Sequence, residues 1–184
     1  MVKVMVDLET LGTRAGCVIL SIGAVVFDPK ADSVGEEFYS VISARSCLNR
    51  GLVVDDSTLR WWTLQTDEAQ SVLKMAQDPR SRSLETVLGD FNMWLETLGS
   101  KKNIEVYGNG SDFDNAILYA AYAACTMDAN WHFWNSRCFR TLKNLTSIKA
   151  DARIGVHHNA LDDAKFQALH ANKILRYLAE VTES

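Results

Sequence analysis

The sequence predicts a single α/β domain, and three observations lead to this prediction. The chain has 184 residues, of which 47% are hydrophobic and 23% charged, a composition that suits one globular domain with a buried core. The first quarter contains runs of β-forming residues joined by short connections. Most of the remainder repeats apolar residues at steps of three and four, which is the period of a helix. No linker or internal repeat divides the chain.

The first elements are predicted to be three strands of an antiparallel meander. Residues 2–6 are a run of β-formers that ends at Asp7, and residues 17–27 form a second apolar run rich in valine and isoleucine. Residues 28–33 have the composition of a turn, and residues 37–42 alternate in the way expected of a third strand.

Helices dominate the predicted elements that follow. N-cap candidates mark helix starts at Asp55, Thr66 and Ser83, and Gly99 is a suitable helix end. In order, the predictions are helices near 57–64, 66–75 and 84–98, a strand at 104–107, a helix at 113–125, an irregular aromatic segment at 130–139, a short helix at 141–148 and a long amphipathic helix at 160–181.

Composition and charge narrow the class of protein. The net charge of −4 is unlike that of a basic protein that coats duplex DNA, but clustered acids that bind metal remain compatible with a nucleic-acid enzyme. No apolar stretch approaches the roughly 20 residues of a membrane span, and the first residues lack a signal peptide. We therefore expect a soluble cytoplasmic protein with no membrane partner. Its scattered cysteines are expected to be buried thiols, namely Cys17, Cys47, Cys125 and Cys138.

Three groups of acidic residues fall at the ends of predicted elements. Asp7 and Glu9 close the first strand, and residues two apart in a strand point to the same side. Two carboxylates that close raise each other's pKa unless a cation neutralises them. On spacing alone, a solvated strand end explains this pair equally well.

The other two groups begin helices, and each has an alternative explanation as a cap. Asp112 and Asp114 follow the strand at 104–107, where acids also favour the helix dipole. The segment 157–164 places His157 and His158 before Asp162 and Asp163. Hard divalent cations prefer oxygen ligands, and two metals about 3.5–4 Å apart can assist a phosphoryl displacement. The three groups together supply carboxylates for such a site and a histidine for water activation.

At this point the sequence resembles the DEDDh 3′–5′ exonucleases. Asp-Leu-Glu-Thr at residues 7–10 matches the D-x-E-T motif, Phe113-Asp114 matches the second motif, and the step from His158 to Asp163 matches H-x-x-x-x-D. The resemblance implies a ribonuclease H-like fold with a mixed central sheet flanked by helices, and one exonuclease domain over residues 1–184. Small phage and bacterial exonucleases of the group are the most similar.

The resemblance also implies roles for these residues. Asp7 would bridge two Mg²⁺ or Mn²⁺ ions, Glu9 and Asp163 would complete one metal site, Asp114 would bind the other metal, and His158 would act as general base. The motif spacing leaves open whether Asp112, Asp162 and His157 take the places of their neighbours, although the residues around each motif favour Asp114, His158 and Asp163. Gly108-Asn109 stands where many relatives carry histidine and asparagine, which leaves the substrate contacts of that loop undefined.

Substrate contacts are expected from turns, aromatic residues and cations. In this family the turn after the first motif, here Thr10, Leu11 and Gly12, contacts the terminal nucleotide. Adjacent residues of a helix point about 100° apart, so one of Trp61 and Trp62 is expected in the core and the other in the cleft. Candidate phosphate contacts are Arg14, Lys143, Lys149 and Arg153. A third aromatic group, Trp131, Phe133 and Trp134, is assigned to packing or, as the alternative, to a subunit contact.

The predicted activity is therefore metal-dependent release of nucleoside 5′-monophosphates from the 3′ end of single-stranded DNA or RNA. The sequence does not distinguish DNA from RNA as the substrate, because that choice depends on which protein groups approach the 2′-hydroxyl. A non-catalytic nucleic-acid-binding domain and a ribonuclease H-like endonuclease are the alternatives. A homodimer is expected, because many relatives pair.

Overall fold

The computed structural model describes residues 1–153 and 155–183. Within them, a five-stranded mixed sheet has the order β3-β2-β1-β4-β5. The first three strands are antiparallel, as predicted, and the last two run parallel to β1. The strands are β1 (Val2–Thr10), β2 (Ile19–Phe27), β3 (Val34–Val41), β4 (Ile104–Gly108) and β5 (Ser136–Cys138).

Helices flank this sheet, and several begin where the sequence indicated. Thr66 and Ser83 accept hydrogen bonds from backbone N–H groups three residues on, at 3.3 and 3.2 Å, which confirms both as N-caps. Gly99, at φ 147°, follows the helix that it was predicted to end. The helices are α1 (Ala44–Asn49), α2 (Asp56–Trp62), α3 (Asp67–Gln77), α4 (Leu84–Leu98), α5 (Asp114–Ala124), α6 (Phe139–Asn144) and α7 (Ala160–Glu183).

Three short elements differ from prediction. Helix α1 was not predicted, because its six residues bury only Cys47 and so show no helical period. The segment predicted as irregular contains β5, whose three residues are too few to alternate and are paired in parallel with β4. Helix α6 begins at Phe139 rather than at residue 141 and ends at Asn144 rather than at 148.

The long helix α7 covers one face of the sheet and approaches it closely. Its inward positions Ala164, Ala168 and Ala171 are buried, and such small side chains allow a short distance between helix and sheet. At Gly23 of β2, a Cβ atom would lie 2.2 Å from the carbonyl carbon of Ala160. Gly23 is paired with Asp7 on β1, so this contact brings the start of α7 beside the end of β1.

The opposite face carries the larger core, which contains Trp131. Trp131 is 1% exposed, whereas Phe133 and Trp134 are 73% and 59% exposed. Packing was therefore the wrong assignment for Phe133 and Trp134, because their short 3₁₀ turn projects them from the surface before β5. Cys17, Cys47 and Cys125 are buried free thiols, as expected, and Cys138 is half-buried. Among the described residues, no helix is long and apolar enough to cross a membrane.

Candidate active site

Four carboxylates from three elements converge at one edge of the sheet. Asp7 and Glu9 come from the end of β1, Asp114 is the first residue of α5, and Asp163 lies in the first turn of α7. We call these four residues the carboxylate site. It borders a cleft of about 800 Å³, which Asp7, Glu9 and Asp163 line directly.

Asp114 is held in the carboxylate site by backbone donors. Its two carboxylate oxygens accept hydrogen bonds from the Leu8 N–H at 3.2 Å and the Asn109 N–H at 2.6 Å. Gly108 makes this approach possible, since a Cβ there would lie 2.9 Å from the Asp114 Cβ. Asp112 is exposed, whereas Asp114 is buried and its charge raises the pKa of both Asp7 and Glu9, so the structure brings Asp114 rather than Asp112 to the other acids.

The two aspartates at the start of α7 face different ways. Asp163 is buried, and its Oδ2 accepts a hydrogen bond from the His158 N–H at 2.9 Å. Asp162 instead accepts a hydrogen bond from the Val156 N–H at 2.8 Å and holds the preceding loop. Because adjacent helical residues point about 100° apart, only one of them can join the carboxylate site.

His158 lies beside the carboxylate site in an unusual backbone conformation. Its φ is 62°, a left-handed value that non-glycine residues rarely adopt and that surrounding contacts must maintain. One of its ring nitrogens and carboxylate oxygens of Glu9 and Asp163 all lie within 4.8 Å of one another. His157 is exposed, although it also borders the cleft.

The two tryptophans of α2 contact different parts of the site. Trp62 is 1% exposed, and its Nε1 donates a hydrogen bond to the Thr10 carbonyl at 2.8 Å. Trp61 is 41% exposed and meets the His158 ring edge-on, with centroids 4.8 Å apart. Both indoles border the cleft, so Trp61 offers an aromatic surface and Trp62 holds the turn after the first motif.

That turn contributes less to the cleft than the sequence suggested. Thr10 and Gly12 line the cleft, and the Thr10 hydroxyl donates to the Gly12 carbonyl at 2.6 Å. The Leu11 side chain lies in the main core and does not line the cleft, because the turn directs it inward. Of the candidate phosphate contacts, Lys143 and Arg153 border the cleft, whereas Arg14 and Lys149 do not.

Sequence reasoning missed Gln167. Its Nε2 donates a hydrogen bond to Asp7 Oδ1 at 2.7 Å, which fixes the half-buried acid at the centre of the carboxylate site. Gln167 stands four residues after Asp163, on the same helix face. This spacing is the signal that could have identified it.

Burial, joined at Asp7 and Glu9 by repulsion from the other acids, disfavours ionisation of Asp7, Glu9 and Asp114 when no cation is bound. Burial, followed by the charges of Asp114, Glu9 and Asp163, raises the pKa of Asp7 well above its ordinary value. Burial and the same kind of repulsion raise the pKa of Glu9 to about 8. Burial raises the pKa of Asp114 to about 6, although its backbone hydrogen bonds oppose the shift. Buried oxygen donors of this kind suit a hard divalent cation.

The pKa of His158 shifts in the direction expected of a residue that accepts a proton. Burial lowers the pKa of His158, and the Asp163 carboxylate partly opposes this effect. The imidazole is therefore neutral, with a free lone pair, over a wider range below neutral pH than an exposed histidine.

Several solved structures with a similar fold are nucleases. The nuclease domain of 3′hExo, a DEDDh family member bound to rAMP, is 15% identical with a TM-score of 0.64, covering 96% of this chain and 92% of that chain. Exonuclease X with 5′ overhanging duplex DNA is 12% identical with a TM-score of 0.56, covering 96% and 93%. Escherichia coli exonuclease I with a dT13 oligonucleotide is 12% identical with a TM-score of 0.63, covering 99% of this chain but only 42% of that one.

The chain shares its ribonuclease H-like fold with a DEDDh family nuclease, and this fold is the one that the resemblance of the sequence motifs implied. No curated protein matches the chain in sequence. The sequence model described as the 3′–5′ exoribonuclease Rv2179c-like domain matches residues 2–175. The chain belongs to this family and is a 3′–5′ exonuclease.

Proposed function

We propose that the protein removes nucleotides one at a time from the 3′ end of single-stranded RNA and releases nucleoside 5′-monophosphates. The observation that carries this proposal is the convergence of four carboxylates and His158 at one cleft. The preference for RNA rests on the family, which is described as exoribonuclease. Relatives in the same fold class are bound to either rAMP or DNA, so DNA is the alternative substrate.

Asp7, Glu9, Asp114 and Asp163 are proposed to hold two divalent cations, Mg²⁺ or Mn²⁺. The raised pKa values of Asp7, Glu9 and Asp114 support this proposal, because a bound cation favours the ionised form that burial and repulsion disfavour. Such ions supply Lewis-acid polarisation of the phosphate and charge stabilisation of the leaving oxygen. Gln167 would keep Asp7 oriented, and the N–H groups of Leu8 and Asn109 would do the same for Asp114.

His158 is proposed to accept the proton of the attacking water. The water oxygen forms a bond to the phosphorus of the last phosphodiester, the bond to the 3′ oxygen of the preceding nucleotide breaks, and that oxygen is protonated from solvent. The lowered pKa of the imidazole supports this role, as does its closeness to the Glu9 and Asp163 oxygens. Trp61 and Asp163 would hold the ring and backbone of His158.

The terminal nucleotide is proposed to occupy the part of the cleft between the first-motif turn and Trp61. Thr10, Gly12 and the exposed face of Trp61 border this space. Aromatic stacking contributes about 1–3 kcal/mol per base without sequence preference, which suits an enzyme that must accept every 3′ end. Leu11 and Trp62 would shape this surface from the core side.

The decisive experiment uses 5′-labelled single-stranded RNA and DNA of the same sequence, with Mg²⁺, Mn²⁺ or a chelator. We expect a ladder that shortens from the 3′ end, faster on RNA, and no turnover in chelator. Asp7→Asn should remove turnover while leaving the fold intact. Undiminished hydrolysis by Asp7→Asn or in chelator would contradict the metal mechanism, and internal fragments in place of a ladder would indicate an endonuclease.

The choice between neighbouring acids is tested by paired variants. Asp114→Ala and Asp163→Ala are expected to lose most activity, whereas Asp112→Ala and Asp162→Ala should retain most of it. The expectation rests on the exposure of Asp112 and on the loop contact of Asp162. If Asp112→Ala or Asp162→Ala were the inactive member of its pair, the assignment of that ligand would be wrong. A single domain over residues 1–184, a homodimer and a cytoplasmic location remain predictions.

A further inference from the structure

Arg153 makes an unexpected contact with the carboxylate site. Its Nη2 forms an ion pair with Asp163 Oδ1, and both side chains are largely buried. The other oxygen of Asp163 accepts the hydrogen bond from His158. Both oxygens of a proposed metal ligand are therefore occupied by protein donors, one of them a full positive charge.

The guanidinium has a second support and an unused donor. Its Cζ lies 4.5 Å from the centroid of the Phe166 ring, so a cation–π contact orients the group independently of Asp163. Its Nη1 is buried and has no hydrogen-bond partner among the described residues. A buried donor without a partner costs free energy, and Arg153 borders the cleft in which a phosphate would sit.

A divalent ion and Arg153 compete for the same carboxylate charge. When an ion binds Asp163, the attraction that keeps Nη2 on Oδ1 weakens, whereas the Phe166 contact is unaffected. The guanidinium is then free to offer two parallel N–H donors, the geometry that suits a phosphate. Lys143 is the other candidate phosphate contact that borders the cleft, and its Nζ lies 5.7 Å from the centroid of the Phe139 ring.

We propose that Arg153 is an exchange cation: it occupies Asp163 in the metal-free enzyme and transfers to a non-bridging oxygen of the nucleotide phosphate when a divalent ion takes Asp163. This inference rests on the proposed function and deepens it. It makes metal binding and phosphate binding positively coupled through one side chain. The coupling is reciprocal, so each ligand strengthens the binding of the other by the same factor.

The test measures binding rather than turnover. Isothermal titration gives the Kd of Mn²⁺ for the metal-free full chain, and the Kd of adenosine 5′-monophosphate with and without Mn²⁺. In Arg153→Met, Mn²⁺ alone should bind about 5- to 50-fold more tightly, because its competitor is gone, and the monophosphate should bind more weakly by a similar factor when Mn²⁺ is present. Without Mn²⁺, the variant should bind the monophosphate like wild type, because Arg153 is then held by Asp163.

Two further variants separate this exchange from a general effect of charge. Lys143→Met removes one charge from the same cleft and should leave the Mn²⁺ affinity within about twofold of wild type, because Lys143 is not paired with the carboxylate site. Arg153→Lys keeps the charge but loses the planar fork, so it should keep the Mn²⁺ affinity near that of wild type and lose most of the coupling.

The proposal is overturned if Arg153→Met binds Mn²⁺ no more tightly than wild type. It is also overturned if Lys143→Met tightens Mn²⁺ binding equally, or if the Arg153→Met loss of monophosphate affinity is the same with and without Mn²⁺. Wild-type protein from the same preparation is assayed on labelled RNA. Failure of wild type to bind Mn²⁺ or shorten RNA contradicts the proposed function, whereas normal wild-type behaviour with unchanged variants contradicts only the exchange.

Discussion

Glu9→Gln is expected to stabilise the metal-free protein while weakening its response to metal. Glu9 is 6% exposed, and burial together with the charges of Asp163 and Asp114 raises its pKa from 4.5 to about 8. The folded protein therefore favours the protonated acid. Glutamine has nearly the same shape as that protonated acid but cannot ionise, so the variant removes the charge with little change in packing.

The pKa shift gives the sign and the size of the effect. Because the pKa of Glu9 is higher in the folded than in the unfolded state, the stability that protonated Glu9 contributes is fully present below about pH 4.5. This contribution to the free energy of unfolding is lost as the pH rises through about 8. Each pKa unit corresponds to about 1.4 kcal/mol, so the shift sets an upper limit of roughly 5 kcal/mol at alkaline pH. The neighbouring acids titrate together with Glu9, which makes the effect smaller than this limit. We therefore expect Glu9→Gln to raise the free energy of unfolding by about 2–3 kcal/mol near pH 7.5 and to leave it unchanged near pH 4.5.

Urea denaturation in chelator, followed across this pH range, measures the effect. Glu36→Gln is the matched control, because Glu36 is an exposed glutamate of the same sheet, and its stability should follow that of wild type. Saturating Mn²⁺ should reduce the stability advantage of Glu9→Gln over wild type. Wild type gains about 2.7 kcal/mol when the ion is at 100 times its Kd, and Glu9→Gln gains less because it lacks a ligand.

The reasoning is refuted if Glu9→Gln is no more stable than wild type in chelator near pH 7.5. It is also refuted if Glu9→Gln is more stable than wild type by the same amount near pH 4.5. A difference that is independent of pH would come from packing rather than from charge. An unchanged Mn²⁺ response would separately remove Glu9 from the proposed metal ligands.

Three other predictions concern the histidine, the helix–sheet contact and the exposed tryptophan. His158→Ala should lose about 10²- to 10⁴-fold in single-turnover rate while still binding metal, and His157→Ala should lose little. The part of the wild-type fall in rate on acidification that His158→Ala removes should lie below the ordinary histidine range, because burial lowers the pKa of His158. Gly23→Ala should destabilise the fold by about 3 kcal/mol or more in urea, since its Cβ would lie 2.2 Å from the backbone of α7, whereas Gly35→Ala, with 3.4 Å to its nearest neighbour, should be tolerated. Trp61→Ala should raise KM for short RNA by about 5- to 100-fold, and Trp61→Phe should restore most of it; an unchanged KM would exclude base stacking on this ring.

Local patterns in the sequence were enough to predict most of the elements. Thr66 and Ser83 were identified as N-caps and Gly99 as a helix end, because capping depends on residues within one turn of each other. The antiparallel first three strands followed from their short connections. The strand β5 was missed, because it exists through pairing with β4 rather than through any pattern of its own.

The sequence by itself determined which residue types were available to the carboxylate site and at which element ends they stood, because the D-x-E-T motif, the Phe-Asp pair and the H-x-x-x-x-D step are local features. The residues around each motif favoured Asp114 and Asp163, but only the tertiary structure showed which way each member of a pair faces. Asp163 faces the site and Asp162 the loop because α7 begins against Gly23 at one rotation about its axis. The contacts of Gln167 with Asp7 and of Arg153 with Asp163 likewise had to come from the structure. These contacts depend on how a helix lies across a sheet. Spacing along the chain specifies which face of a helix or strand a residue occupies, but not the distance between two such elements.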